Sequence, residues 1–208
     1  MDDIFLVRLV MMKNKIQSIN AHYKDKIKMQ FDNALKQFNR LFIIRLDLRF
    51  PKEMKYKDDD RVITRFFESL KAKLKAREVL YRKQNKRIYP HGLRYAWVRE
   101  IGPKNKRRHY HVILIFNKDA YFTLGNFNSE NTNLSSCVIG AWKRALGLMN
   151  EINGLVHFCP INVQFSYLDK QHSHFEDKYD TWMGLIDYLA KDYSKCYGRY
   201  SRSFGCSR

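Results

Sequence analysis

The sequence is short of the residues that build disulfide scaffolds and phosphate-binding loops. It contains only 9 glycines and no Gly-rich phosphate loop, so we expect neither a nucleotide-binding nor a helicase motif. Its 4 cysteines are widely and irregularly spaced, without a Cys-x-x-Cys pair: Cys137, Cys159, Cys196 and Cys206. This spacing argues against a zinc ribbon and a disulfide framework, and it is typical of proteins in a reducing cytosol.

Long hydrophobic runs are also missing. The segment Ile4–Met12 is apolar, but it is short and is interrupted by Arg8. It fits neither a secretory signal nor a membrane span, which needs about 20 apolar residues. We therefore expect a cytoplasmic protein with no membrane partner.

Acidic residues are scarce relative to basic ones. The chain has 39 Lys and Arg against 21 Asp and Glu, for a formal net charge of +18. Such a chain attracts polyanions, and anionic membrane is a rival to nucleic acid as the partner. The 13 tyrosines and 14 phenylalanines could stack on bases beside these charges, so nucleic acid is favoured.

Hydrophobic periodicity predicts an alternation of helices and strands. A basic amphipathic helix is predicted over Lys13–Arg40, followed by a strand over Leu41–Phe50 and a helix over Arg61–Lys83 that is capped by Asp58–Asp60. The remaining elements are two strands over Leu93–Ile101 and Arg107–Asn117, a helix over Ser136–Asn150, a strand over Val156–Tyr167 and a helix over Trp182–Lys195.

This order of elements predicts an α+β fold: a ferredoxin-like antiparallel sheet with helices packed on one face, plus an N-terminal basic helix. We divide the chain into an N-terminal basic helical extension over residues 1–40 and a main domain over residues 41–208. In the strand over Leu41–Phe50, strict alternation should place Arg45, Asp47 and Arg49 on one side.

Two histidines stand at positions i and i+2 of a predicted strand. His109 and His111 precede an unbroken apolar run, so both imidazoles should project from the same side of the sheet. If Lys104-Asn105 forms the centre of the preceding hairpin turn, Glu100 lies opposite His109. A carboxylate then joins the two imidazoles on one face.

Two neutral imidazoles and a carboxylate can hold a divalent cation and leave positions open for phosphate oxygens and water. Mixed nitrogen and oxygen ligands would accept Mg²⁺ or Mn²⁺ during turnover, while Zn²⁺ or Ni²⁺ would bind more tightly by intrinsic affinity. The alternative interpretation of this pattern is a polar strip on an exposed strand.

A tyrosine on the last predicted helix could act as a nucleophile. Helical spacing places Tyr188, Lys191 and Lys195 on one polar flank, whereas Tyr193 falls on the apolar stripe. A phenol is a weak nucleophile at neutral pH until nearby cations stabilise the phenolate. On its own, a Tyr beside Lys on a helix is most often ordinary surface.

Other polar clusters carry less weight. His172 and His174 with Cys196 and Cys206 match no standard zinc spacing. His91 and His157 stand alone, and we expect structural roles for them. For Asp47 we expect a salt bridge or a hydrogen bond to a metal ligand, with direct metal binding as an alternative.

Together, three segments carry a family resemblance. The alternating strand, His109-Tyr110-His111 before an apolar strand, and Tyr188-x-x-Lys191 on a helix resemble the HUH endonucleases. The segments 95–100, 109–112 and 117–121 look like the replication proteins of filamentous phages and related prophages, of the inovirus gene-two-product type. The resemblance covers about residues 41–195.

The resemblance implies an enzyme that nicks single-stranded DNA and rejoins it, initiating rolling-circle replication of a phage or plasmid-like element. It implies a divalent metal at Glu100, His109 and His111, and Tyr188 bonded to the 5′ phosphate, with Lys191 as its partner. Since Tyr193 falls on the apolar stripe, a single catalytic tyrosine is expected. Basic residues would hold the DNA backbone: Arg45, Arg49, Arg107, Arg108 and Lys195.

Two other functions remain open. One is a non-catalytic DNA- or RNA-binding regulator that retains the fold, and the other is a metal-dependent nuclease that uses water. The resemblance implies a single-stranded origin or hairpin as the substrate and the cytoplasm of a bacterial host as the location. It also leaves a host helicase and polymerase as candidate partners.

Overall fold

A six-stranded antiparallel sheet forms the centre of the computed structural model, which describes residues 19–52, 59–102, 107–126, 133–148, 153–159, 166–191 and 202–208. In these ranges the elements follow in the order helix, strand, helix, two strands, helix, two strands, helix and strand. The predicted α+β class with an antiparallel sheet is confirmed.

The sheet is built around β1 (Arg40–Arg49). This strand pairs over most of its length with β3 (Arg108–Asn117), which pairs in turn with β2 (Arg94–Ile101). Three short strands complete the sheet: β4 (Val156–Phe158) and β5 (Tyr167–Asp169) pair with the other edge of β1, and β6 (Phe204–Cys206) pairs with β2. The strand predicted over Val156–Tyr167 is therefore two short strands, one at each end of that range.

The described ranges contain four helices, of which the first and the third begin at side-chain caps. They are α1 (Ala21–Gln37), α2 (Val62–Lys83), α3 (Leu134–Leu146) and α4 (Phe175–Leu189). The side chain of Asn20 accepts a hydrogen bond from the first turn of α1, and Asn133 forms a capping box with Ser136 at the start of α3. Gly147 ends α3 with a φ of 71°, a conformation that favours glycine.

Several helix boundaries differ from the predicted ones. The predicted cap at Asp58–Asp60 is wrong, because Arg61 is the N-cap residue of α2. Helix α3 spans Leu134–Leu146 instead of Ser136–Asn150.

The last helix spans Phe175–Leu189 instead of Trp182–Lys195. It begins earlier because Glu176 and Asp177 place negative charge in its first turn. The N-terminal helix spans Ala21–Gln37, and the first residues of the predicted helix lie outside the described ranges.

Helices cover both faces of the sheet, so the prediction that they pack on one face is wrong. The α2/α3 face contains Leu46, Leu48 and Val112, and the α1/α4 face contains Ile43, Ile113 and Ile115. The apolar run of β3 is buried on both sides, as runs without polar alternation require. Helix α1, from the predicted extension, contributes Ile27 and Phe31 to the core of the second face.

In the described part of the chain, no helix is both long enough and apolar enough to cross a bilayer. The cysteines that the structure describes are free thiols: Cys137, Cys159 and Cys206.

Candidate functional site

The hairpin of β2 and β3 brings three metal-ligating side chains together. Glu100 pairs with His109, and Val98 pairs with His111, in the predicted register. The predicted turn at Lys104-Asn105 lies outside the described residues, but the strands on either side fix the pairing. Ligand atoms of Glu100, His109 and His111 all lie within 4.8 Å of one another. We call these three residues the HHE cluster.

Both imidazoles present the same ring nitrogen to the centre of the HHE cluster. The two Nε2 atoms of His109 and His111 lie 3.2 Å apart, and Glu100 Oε2 lies 3.3 Å from His111 Nε2. Adjacent ligands of a six-coordinate cation bound at about 2.1 Å are separated by about 3 Å. The separations in the HHE cluster therefore suit a divalent cation.

Asp47 orients His111 from the neighbouring strand. It pairs with His111 in the β1–β3 ladder, and its Oδ1 accepts a 2.5 Å hydrogen bond from His111 Nδ1. A carboxylate behind a metal-ligating histidine fixes the ring and leaves a lone pair on Nε2. The contact agrees with the hydrogen bond to a metal ligand expected for Asp47.

Burial, hydrogen bonds and nearby charges shift the pKa values of His111, His109 and Asp47 in different directions. Burial opposes charge on His111, but hydrogen bonds to Asp47 and Glu100 outweigh it and raise the pKa of this imidazole. Burial and the positive charge of His111 lower the pKa of His109. Burial would raise the pKa of Asp47, yet the hydrogen bond and charge of His111 bring it below 3.8. A divalent cation bound by the HHE cluster would compete with a proton for Nε2 of His111.

Tyr188 lies in the last turn of α4 and packs, half-buried, against the α1/α4 face. Lys191 Nζ lies 3.9 Å from the centre of its ring, and Arg45 Cζ lies 5.4 Å from it. Lys191 follows the end of the helix and is buried, forming a β-bridge with Ile19. Two cations therefore lie close to the Tyr188 ring, one from β1 and one from the segment after α4. The predicted polar flank of the helix is wrong, because Tyr188 packs against the apolar cluster and Lys191 lies beyond the end of the helix.

The predicted DNA-binding residues occupy two places. Arg49, Arg107 and Arg108 line a groove of about 590 Å³ at the end of β1 and the start of β3, together with Lys52. His109 also lines this groove, which therefore reaches the HHE cluster. Arg45 lies beside Tyr188 instead. Lys195 and Tyr193 lie outside the described residues.

Two residues near Asp47 were not predicted to form a site, and the expectation that His157 stands alone is wrong. His157 and Cys159, on and just after β4, have ligand atoms within 4.8 Å of one another and of an Asp47 oxygen. The signal was the i and i+2 spacing of a His and a Cys, but pairing between β1 and β4 could not be read from it. His172, His174 and Cys206 belong to neither of the two metal-ligating clusters in the described part of the chain.

Comparisons with known proteins identify relatives in Escherichia coli (strain K12). The chain is 36% identical to "Uncharacterized protein YfjJ" over 198 residues, which cover 89% of this chain and 93% of that protein. It is 37% identical to "Uncharacterized protein YagK" over 195 residues, which cover 89% and 92%. No solved structure matches the chain. The YagK/YfjJ C-terminal domain family matches residues 3–207, and the chain therefore belongs to that family.

Proposed function

We propose that this protein nicks single-stranded DNA and transfers the cut strand through a 5′-phosphotyrosine intermediate. The observation that carries the proposal is that the HHE cluster and Tyr188 lie on the same face of the sheet. Such an activity would initiate rolling-circle replication of a phage or plasmid-like element, in the cytoplasm of a bacterial host.

Strand β1 links the two parts of the proposed site. Arg45, beside the Tyr188 ring, and Asp47, hydrogen-bonded to His111, are two residues apart on one face of β1. Alternate residues of a strand are separated by about 6.6 Å. This spacing supports a proposed site in which the tyrosine and the HHE cluster border the same face of β1.

In the proposed reaction, Tyr188 Oη attacks phosphorus and the bond from phosphorus to the 3′ oxygen breaks. The phenol loses its proton to solvent, and the departing 3′ oxygen gains one. The cations of Arg45 and Lys191 beside the ring stabilise the phenolate. A divalent cation at the HHE cluster would polarise the phosphate as a Lewis acid. Because one phosphoester replaces another, the same site can rejoin the strand.

The groove beside the HHE cluster supplies contacts for the DNA backbone. Arg49, Arg107 and Arg108 line it and can form charge-assisted hydrogen bonds with phosphate oxygens. Since His109 lies on the same groove, a strand bound there leads to the metal-ligating residues.

The central experiment incubates the protein and its Tyr188→Phe variant with labelled single-stranded DNA and Mn²⁺, followed by a denaturing gel. We expect a protein–DNA adduct with the parent protein and none with Tyr188→Phe, which should still bind DNA. Tyr179→Phe is the matched control, because Tyr179 lies on the same helix and donates its hydroxyl hydrogen bond to Asp32. An adduct formed by Tyr188→Phe would refute the assignment.

The alternatives give different results in the same assay. A regulator would bind DNA with a steep salt dependence and show no Mn²⁺-dependent cleavage. A nuclease that uses water would cleave without a covalent species. His109→Ala tests the metal assignment separately, because it should abolish Mn²⁺ binding, whereas His174→Ala on an exposed loop should not.

A host helicase and polymerase are proposed partners, since the HUH-like reaction leaves a free 3′ hydroxyl for extension and needs the duplex opened. A mixture of intact origin DNA, helicase and polymerase should show strand extension only after the parent protein has nicked the DNA.

A further inference from the structure

A second cluster of metal-ligating side chains lies at the edge of the sheet. Asp47, His157 and Cys159 each offer one ligand atom, and these atoms lie within 4.8 Å of one another. The cluster combines a carboxylate oxygen, an imidazole nitrogen and a sulfur. We call it the edge cluster.

Strand pairing explains why these residues meet. His157 pairs with Asp47 in the β1–β4 ladder, so the two side chains point to the same face of the sheet. Cys159 follows two residues later, and its N–H donates to the Arg45 carbonyl at 3.1 Å, which continues the ladder past β4. The i and i+2 spacing then places His157 and Cys159 on the same side.

The thiol of Cys159 contacts the carboxylate of Asp47 within the edge cluster. Cys159 Sγ donates to Asp47 Oδ1 at 3.6 Å, the oxygen that also accepts from His111. His157 is exposed, which leaves the cluster open to solvent on one side.

The three ligand atoms of the edge cluster favour some divalent cations over others. A thiolate with an imidazole and a carboxylate suits Zn²⁺ or Co²⁺, whereas Mg²⁺ and Mn²⁺ prefer oxygen-rich sites. Three protein ligands leave the fourth position of a tetrahedral ion for water. The carboxylate and thiolate together balance the charge of a divalent ion.

We propose that Asp47, His157 and Cys159 bind a thiophilic divalent cation of the Zn²⁺ type, which fastens the short strand β4 to β1. A strand of three residues makes few ladder hydrogen bonds, so a metal bound across β1 and β4 would hold it in register. This inference does not depend on the proposed nicking activity, because it concerns metal binding alone.

The test titrates Co²⁺ into the full chain, freed of metal by a chelator, and records the thiolate-to-cobalt charge-transfer absorption. We expect the band in the parent protein, its displacement by Zn²⁺, and its loss in Cys159→Ser. Cys206→Ser is the matched control and should retain the band, since Cys206 lies on β6 at the other edge of the sheet. His157→Ala should weaken Co²⁺ binding by roughly tenfold or more.

The proposed metal sites at the HHE cluster and at the edge cluster can be tested independently of each other. His109→Ala should lose Mn²⁺ binding and keep the cobalt band, while Cys159→Ser should do the reverse. Because His157 is exposed, His157→Ala remains informative if Cys159→Ser does not fold. Absence of the band in the parent protein, or its persistence in Cys159→Ser or at full affinity in His157→Ala, would overturn the proposal. Absence of a DNA adduct would leave it unaffected.

Discussion

The same strands present different kinds of side chain on the two faces of the sheet. On the α2/α3 face, β1 and β3 present Leu46, Leu48 and Val112 to a core of aromatic and aliphatic side chains. On the α1/α4 face, the apolar side chains stop at Ile43 on β1, Ile113 on β3 and Val98 on β2. Beyond that boundary, β1, β2 and β3 present polar and charged side chains: Arg45, Asp47, Arg49, Glu100, His109 and His111.

The comparison shows how one strand can serve packing and chemistry together. Tyr110 is buried in the apolar core, while its neighbours His109 and His111 point to the other face. A shift of one residue in the β2–β3 register would take Glu100 away from the histidines. The packing of the α2/α3 face therefore holds the register on which the HHE cluster depends.

The largest expected effect comes from truncating the packed face. Phe66→Ala removes a fully buried ring that contacts Phe67 and Trp142, and it should cost about 3–5 kcal/mol of unfolding free energy. Urea denaturation measures this loss. The same change at Phe122, which is 63% exposed, should alter stability by less than about 0.5 kcal/mol. Equal losses at the two positions would contradict the assignment of the α2/α3 face as the main apolar core.

A smaller effect, on metal affinity, is expected from a substitution at the polar end of the α1/α4 face. Asp47→Asn removes the charge that orients His111, so Mn²⁺ affinity at the HHE cluster should fall about 10–100-fold. Isothermal titration calorimetry measures this affinity. Asp119→Asn, which alters an exposed ion pair with Arg40, is the control and should leave the affinity unchanged. An unchanged affinity in Asp47→Asn would show that His111 is oriented without the carboxylate.

The smallest effect concerns a polar contact at the rim of the α1/α4 face. Asp32 accepts hydrogen bonds from Tyr179 and Lys28; burial would raise its pKa, but these contacts bring it below 3.8. A carboxyl group with a lowered pKa stabilises the fold above its ordinary pKa, and this contribution is lost as pH falls through the lowered value. Because the site is partly exposed, Asp32→Asn should cost less than about 1 kcal/mol at neutral pH.

Urea denaturation at a series of pH values checks the direction of this effect. The difference between the parent protein and Asp32→Asn should shrink as the pH falls below 3.8. Asp25→Asn, at an exposed position of the same helix, is the control and should show no such change. A difference that grows on acidification would contradict the role of the ionised carboxylate.

The sequence predicted the parts of the site that depend on local geometry. Strand alternation placed His109 and His111 on one side, and a short hairpin allowed Glu100 to be assigned by counting residues. The proximity of Tyr188 and Lys191 followed from helical spacing, although the helix ends before Lys191. These relations span few residues, so local periodicity was enough to find them.

Contacts between distant segments were not predictable in the same way. His157 and Cys159 lie more than a hundred residues after Asp47, and their meeting depends on the pairing of β4 with β1. The position of α4 beside Arg45 likewise depends on packing across the α1/α4 face. Neither relation leaves a periodic signal in the sequence.

By itself, therefore, the sequence determined the α+β class, the basic surface, the register of one hairpin and the three residues of the HHE cluster. Tertiary structure alone decided that both faces are covered, that His111 is the histidine that Asp47 contacts, and that Tyr188 lies beside Arg45. The physical reason is that side-chain direction repeats every two residues in a strand, whereas partners from distant segments are chosen by the burial of whole faces.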